Sequence, residues 1–236
     1  MKTVDGSNFR RPVRGYAKSY GCVPLERFTA VFDKITAITP DLNYPELKGE
    51  WIPHAYDVET EAFDYEPDYD NIVISYYHAQ ADCKFALRVL LPVLKRLRDE
   101  GYKFKAVGIG KGSCKTVSWE ESLRIKREST LYFSSISPIG CYGKSAVESL
   151  SMGVPTINHI SETSFKQSGC DDYGSPFLRA SNAAELYEVL KRVLKCEIDL
   201  KQVSVKSREY AIKYHSYDAV AVRLKRIFGE IIGEVL

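Results

Sequence analysis

The sequence predicts an α/β protein: a Rossmann-like parallel sheet flanked by helices, preceded by a partial N-terminal α/β segment. Three observations predict it. Short apolar runs rich in β-branched and aromatic residues recur after residue 71, beginning with Asn71-Ile-Val-Ile-Ser-Tyr-Tyr77. Between them lie amphipathic stretches with helix start signals, such as Ser118-Trp-Glu-Glu121 and Asn182-Ala-Ala-Glu185. One helical stretch stops at Gly153-Val-Pro155 and passes straight into an apolar run. Strands alternating with helices imply βαβ units, and right-handed crossovers put helices on both faces of the sheet. The chain has 236 residues, 44% apolar and 27% charged, which suffices for a sizeable core.

The elements follow in order. Residues 1–60 read as a partial unit: Ile35-Thr-Ala-Ile38 as a short strand, Pro40-Asp-Leu-Asn-Tyr44 as a short helix, and Trp51-Ile-Pro53 as a return to extended chain. The acidic stretch 60–70 carries Pro67 and reads as a linker or surface loop, and the division is placed at 1–60 and 61–236. A buried strand over 71–77 leads to a helix over 83–99, capped by Asp82, stopped by Gly101 and kinked by Pro92. A strand over 104–109 precedes a helix over 119–128, and Leu131-Tyr-Phe-Ser134 is the next strand. A helix over 144–152, a strand over 155–158 and a short strand over 176–178 follow. Helices from Asn182 to about 195, over 201–214 and over 217–232 close the chain, the last opened by Ser216. The loops 76–84, 109–115, 134–144 and 158–174 fall beyond the carboxyl ends of the strands, where ligands of such sheets bind.

Composition excludes several classes. A net charge of +2 gives no electrostatic case for nucleic acid, and the run Lys95, Arg96, Arg98, Lys103 and Lys105 reads as a solvated face. No apolar run reaches membrane-spanning length, so membrane contact is peripheral at most. The N-terminus lacks the apolar core of a signal peptide, so a cytoplasmic protein is expected. The cysteines at 22, 83, 114, 141, 170 and 196 show no CxxC spacing, which argues against a disulfide frame or zinc site. His54 and His159 are too isolated to form a metal set, and no metal is expected. Asp68-Tyr-Asp70 precedes the first strand of the sheet, on its wrong edge for a cation site. Gly108-Ile-Gly110-Lys-Gly112-Ser113 is glycine-rich but lacks P-loop spacing.

Residues 138–157 carry the most information: Pro138-Ile-Gly140-Cys-Tyr142-Gly143-Lys-Ser145-Ala-Val-Glu148-Ser-Leu-Ser-Met-Gly153-Val-Pro155-Thr-Ile157. A glycine turn opens a short amphipathic helix that carries one glutamate. A helix start presents unpaired N–H groups and roughly half a positive charge, which attract a phosphate group. Gly143, Lys144 and Ser145 would supply those amides, glycines at 140 and 143 allow close approach, and Glu148 would accept hydrogen bonds from sugar hydroxyls.

The spacing Gly-x-Tyr-Gly, four residues to Glu, then Gly-x-Pro resembles the donor-binding segment of retaining glycosyltransferases of the two-Rossmann-domain kind, the GT-B fold (group 1, family 4-like). Tyr77-His78-Ala79 followed by Lys84 resembles the family's His-Ala-Pro…Lys-Gly segment. Gly6-Ser7-Asn8-Phe9-Arg10, Thr39-Pro40-Asp41-Leu42 and Trp51-Ile52-Pro53 resemble its acceptor-side and crossover segments. The resemblance implies hexosyl transfer with retention from a UDP- or GDP-linked sugar, without metal or cofactor, to an acceptor left open. It implies a donor set of Lys84, His78, Tyr142, Gly143, Lys144, Ser145 and Glu148, with Tyr142 packed either on the donor or on the neighbouring loop. It also implies that residues 1–60 are a remnant of an acceptor-side domain, since two Rossmann domains need roughly 350–400 residues. Departures are Asp5 in place of a histidine, Gly140 in place of a second glutamate and Lys84-Phe85 in place of Lys-Gly. Alternatives are a non-catalytic or split donor-binding subunit that needs a partner chain, and a GT-B nucleotide-sugar epimerase; the partner is a second chain or a further copy of this one, as a homo-oligomer.

Overall fold

The computed structural model describes residues 34, 36–42, 49–61, 63–77, 86–110 and 117–233. His78, Lys84, Asp82, Gly112 and the glycine-serine segment at 6–10 lie outside them.

A two-stranded parallel ladder of β1 (Thr36–Ala37) and β2 (Glu50–Trp51) precedes the main sheet. The five-stranded sheet consists of β3 (Val73–Tyr77), β4 (Lys105–Ile109), β5 (Leu131–Ser135), β6 (Thr156–Asn158) and β7 (Leu178–Arg179). Every pairing is parallel, in the order β4-β3-β5-β6-β7. Chain order reverses at β3: β4 lies on one side of it and β5 on the other, so the crevice beyond their carboxyl ends is the topological switch point. The expected α/β class, with a parallel sheet flanked by helices, is the observed one.

The helices are α1 (Leu91–Asp99), α2 (Trp119–Arg127), α3 (Lys144–Ser151), α4 (Glu162–Ser168), α5 (Ala183–Leu194), α6 (Leu200–His215) and α7 (Tyr217–Ile232). Alternation along β5 divides the core. Leu131 and Phe133 join Ile74, Leu94, Leu97, Leu186 and Leu190 on the face covered by α1 and α5. Tyr132 points the other way, toward Leu123, Met152 and Val154. A third cluster joins α3 and α6 through Val147, Leu150, Tyr210 and Ala211, and draws in Trp51 from β2.

Three expectations need correction. The helix ahead of Gly101 is not a single kinked α-helix: residues Ala86–Leu90 are π-helical and the α-register begins at Leu91. Pro92 has no N–H to donate and its ring crowds the carbonyl four residues back, so the wider turn before it absorbs the conflict. The stretch 158–174, read as loop, contains α4, capped by Ser161 and closed by left-handed Gly169. Its apolar content is too low to show helical periodicity. The strand expected at 176–178 forms at Leu178–Arg179, because Phe177 is used in a turn with Gly174.

Asp68 has a local explanation. Its Oδ1 accepts from the amides of Asp70 and Asn71, each at 3.0 Å, and closes the turn into β3. Among the described residues no helix is long and apolar enough to cross a membrane, and no three His, Cys, Asp or Glu side chains cluster.

Candidate donor site at the switch point

The loop 136–143 leaves β5 and delivers the chain to α3 at the carboxyl edge of the sheet. Its path is set by the segment after β6. Asn158, buried at the end of β6, donates from Nδ2 to the Cys141 carbonyl at 3.3 Å. His159 Nδ1 lies 2.8 Å from the Ser137 carbonyl, which can only accept, so the proton sits on Nδ1. The Ser161 amide donates to the Gly140 carbonyl at 2.8 Å and its hydroxyl to that of Ile139 at 3.0 Å. Gly140 is left-handed at φ +64°, and an added Cβ would stand 2.4 Å from the Ser161 nitrogen. The glycine therefore serves the approach of Ser161. Gly143 differs: space above it is open, with nothing within 4 Å of a built Cβ.

Gly143 is the N-cap of α3, and no side chain caps the helix start. The helices α2, α4, α5, α6 and α7 are each capped by a side chain, of Ser118, Ser161, Asn182, Asp199 and Ser216 respectively. Exposed Lys144 follows Gly143, its Nζ 6.0 Å from the centre of the Trp119 ring. Half-buried His54 is held below the ordinary histidine value by burial and then by the charge of Lys144.

Glu148 is more enclosed than the sequence implies, at 6% exposure. Its Oε2 accepts from Lys126 Nζ at 2.5 Å and its Oε1 from Trp119 Nε1 at 3.3 Å. A carboxylate offers about four lone-pair sites, so two accepted bonds leave capacity for further donors. Trp119 is 50% exposed at the start of α2 and flanks the carboxylate. Lys126 and Trp119 escaped the sequence reading. Lys126 stands at a helical position whose neighbour Leu123 is core, but a lysine there reads as surface.

Tyr142 packs on the neighbouring loop. It is 4% exposed, its ring stacked on Tyr173 at 5.0 Å. Its hydroxyl lies 2.8 Å from that of Tyr210 and 3.1 Å from His215 Nε2. The hydrogen order along this chain is determined. His215 Nδ1 faces the His54 carbonyl at 2.8 Å and must donate, which in a neutral ring leaves Nε2 as acceptor. Tyr142 then donates to Nε2 and accepts from Tyr210, and Tyr210 accepts from the Gly174 amide at 3.1 Å. Burial pushes His215 down to about 4, which matches the neutral ring. Burial also raises Cys141, with Asp41 adding to it, so this cysteine is a packed thiol.

The structure thus brings Gly143, Lys144, Ser145 and Glu148 together at the switch point and places Tyr142 behind them. No protein-family model and no curated protein matches the sequence. Solved structures share its fold. HepE of Anabaena, crystallised with UDP-glucose, aligns with a TM-score of 0.58 at 11% identity over 88% of this chain and 67% of its own. The same protein with UDP aligns at 0.57 and 10% identity, over 88% and 66%. A glycosyltransferase of Rickettsia africae aligns at 0.57 and 15% identity, over 88% and 66%. The chain spans about two thirds of the length of these proteins, and what they share with it is the fold.

Proposed function

We propose that this protein transfers a hexose, with retention, from a UDP- or GDP-linked sugar to an acceptor, with residues 61–236 as the donor domain and 1–60 on the acceptor side. The observation that carries the reading is the start of α3, at the switch point, without a side-chain cap and with Glu148 one turn inward. Breaking the anomeric C–O bond puts negative charge on the leaving diphosphate, and catalysis requires that charge to be stabilised. The amides of Lys144 and Ser145, the positive end of the α3 dipole and the Lys144 ammonium supply positive charge without a metal. Lys84 is assigned to the same leaving group, His78 to the donor phosphate or sugar, and Glu148 to the ribose hydroxyls. HepE, crystallised with UDP-glucose and with UDP and glucose, shares the fold and favours a uridine donor.

Calorimetry with UDP, UDP-glucose and GDP tests the reading. Binding of one of them is expected, weakened about tenfold or more by Glu148→Ala and Lys84→Ala, since a hydrogen bond to a charged group is worth about 1.5–3 kcal/mol. No heat with any nucleotide refutes it.

A further inference from the structure

We propose that Lys126 is a positioning residue that fixes both ends of the nucleotide subsite and, through Glu148, makes the site discriminate ribose from deoxyribose. The inference rests on the donor-binding reading above.

Lys126 is fully buried and comes from α2, across from the helix that forms the site. An ammonium has three N–H donors and no acceptor. All three are engaged: by the Ser145 carbonyl at 3.1 Å, the Ser145 Oγ at 2.9 Å and Glu148 Oε2 at 2.5 Å. The Tyr132 hydroxyl, from β5 beneath, meets Ser145 Oγ at 2.7 Å, and Lys126 Nζ lies 4.9 Å from the centre of the Tyr132 ring. Ser145 belongs to the first turn of α3, whose amides face the phosphate subsite, and Glu148 lies one turn on. One tripod therefore sets the spacing between the phosphate end and the ribose end.

The same tripod orients the carboxylate. With Oε2 held inward, Oε1 faces the half-exposed Trp119, and a 3.3 Å contact there leaves lone pairs for incoming hydroxyls. Stability alone does not account for the pair, because apolar side chains of similar volume often replace a buried ion pair without loss. Holding an acceptor in its working orientation before the ligand arrives is what a binding site requires. Lys126 touches no part of the proposed donor, so its effect is exerted through Ser145 and Glu148.

The test is the ratio of dissociation constants for 2′-deoxyuridine diphosphate over UDP, and for the guanosine pair, measured on wild type and K126M with melting temperatures recorded. Wild type is expected to favour the ribonucleotide about tenfold, the worth of one hydrogen bond to a charged acceptor. In K126M the ratio falls to within about twofold of unity, as expected when that bond is lost. A K126M protein that melts lower and binds both nucleotides more weakly, with the ratio unchanged, overturns the proposal in favour of a purely structural pair. Should K126M not fold, the ratio is read on K126R, which keeps the charge but presents a planar fork in place of the tripod. There too the ratio is expected to fall, and an unchanged ratio overturns the proposal. A wild-type ratio near unity overturns it while leaving UDP binding intact. Absence of any nucleotide binding by wild type overturns the donor reading itself, and this inference with it.

Discussion

His215 makes the fold sensitive to acid, and the size of the effect follows from its surroundings. The ring is 1% exposed, donates from Nδ1 to the His54 carbonyl and accepts at Nε2 from Tyr142. Protonating Nε2 would set two donors against each other in a desolvated site, and the group is pushed from 6.5 to about 4. The folded pKa lies below the unfolded one, so the neutral ring stabilises the fold above pH 6.5. As pH falls below 6.5 the unfolded chain gains a proton that the folded protein refuses, and stability drops until the folded ring also titrates near pH 4. A gap from 6.5 to about 4, at about 1.36 kcal/mol per unit, gives a loss of about 3 kcal/mol. Urea unfolding across that range reads the loss directly, but carboxylates contribute to it. His215→Gln isolates the histidine, because the glutamine oxygen can accept from Tyr142 and does not titrate. The variant is expected to lose about 3 kcal/mol less than wild type over the same range. If the two proteins lose stability in parallel, within about 0.5 kcal/mol, the imidazole is not the group responsible.

Three further outcomes follow from the same geometry. Tyr142→Phe keeps the ring stacked on Tyr173 but strands the Nε2 of His215 and takes the acceptor from Tyr210, so a loss of about 2–3 kcal/mol in urea unfolding is expected; a neutral result would show that the hydroxyl is dispensable. Gly140→Ala combines positive φ with a 2.4 Å collision against the Ser161 amide, and thermal unfolding is expected to register about 2 kcal/mol or more of destabilisation. Its donor affinity should fall as well, since the loop carries Gly143; unaltered melting would mean the loop can relax away from Ser161. Asn182→Ala removes the acceptor of the Ala184 and Glu185 amides at the start of α5 and should cost about 1 kcal/mol without changing nucleotide affinity. A change in affinity from that variant would contradict the placement of the site on the α3 side.

What the sequence reveals here is what a few adjacent residues decide. Ser118, Asn182 and Ser216 cap the helices they were expected to open, because a cap is a contact between a side chain and an amide two or three residues on. The apolar runs mark the strands because β5, buried on both faces, needs apolar side chains at Leu131, Tyr132 and Phe133 alike. The glycine turn and the α3 start are legible for the same local reason. The partners of the site are not. Lys126 meets Glu148 across 22 residues, and Tyr142 meets His215 across 73, and no spacing rule connects such positions. Burial reverses the meaning of residue type at the first place, where a lysine that reads as solvated lies inside; at the second, residue type alone leaves open whether the tyrosine meets a ligand or the neighbouring loop. Pro92 is a milder case: the ring predicts a kink, but the widened turn over Ala86–Leu90 that accommodates it does not follow from the ring alone.

The relay from Gly174 through Tyr210 and Tyr142 to His215 and His54 has an amide at one terminus and a carbonyl at the other. Neither terminus can swap roles, so the string has one polarity and no mirror-image proton arrangement competes with it. Displacing Tyr142 would take the donor from Nε2 of His215 and the acceptor from Tyr210, while Nδ1 keeps its bond to the His54 carbonyl. The nitrogen chemical shift of His215 Nε2, the atom that accepts from Tyr142, therefore reports whether the polypeptide ahead of α3 is seated or lifted.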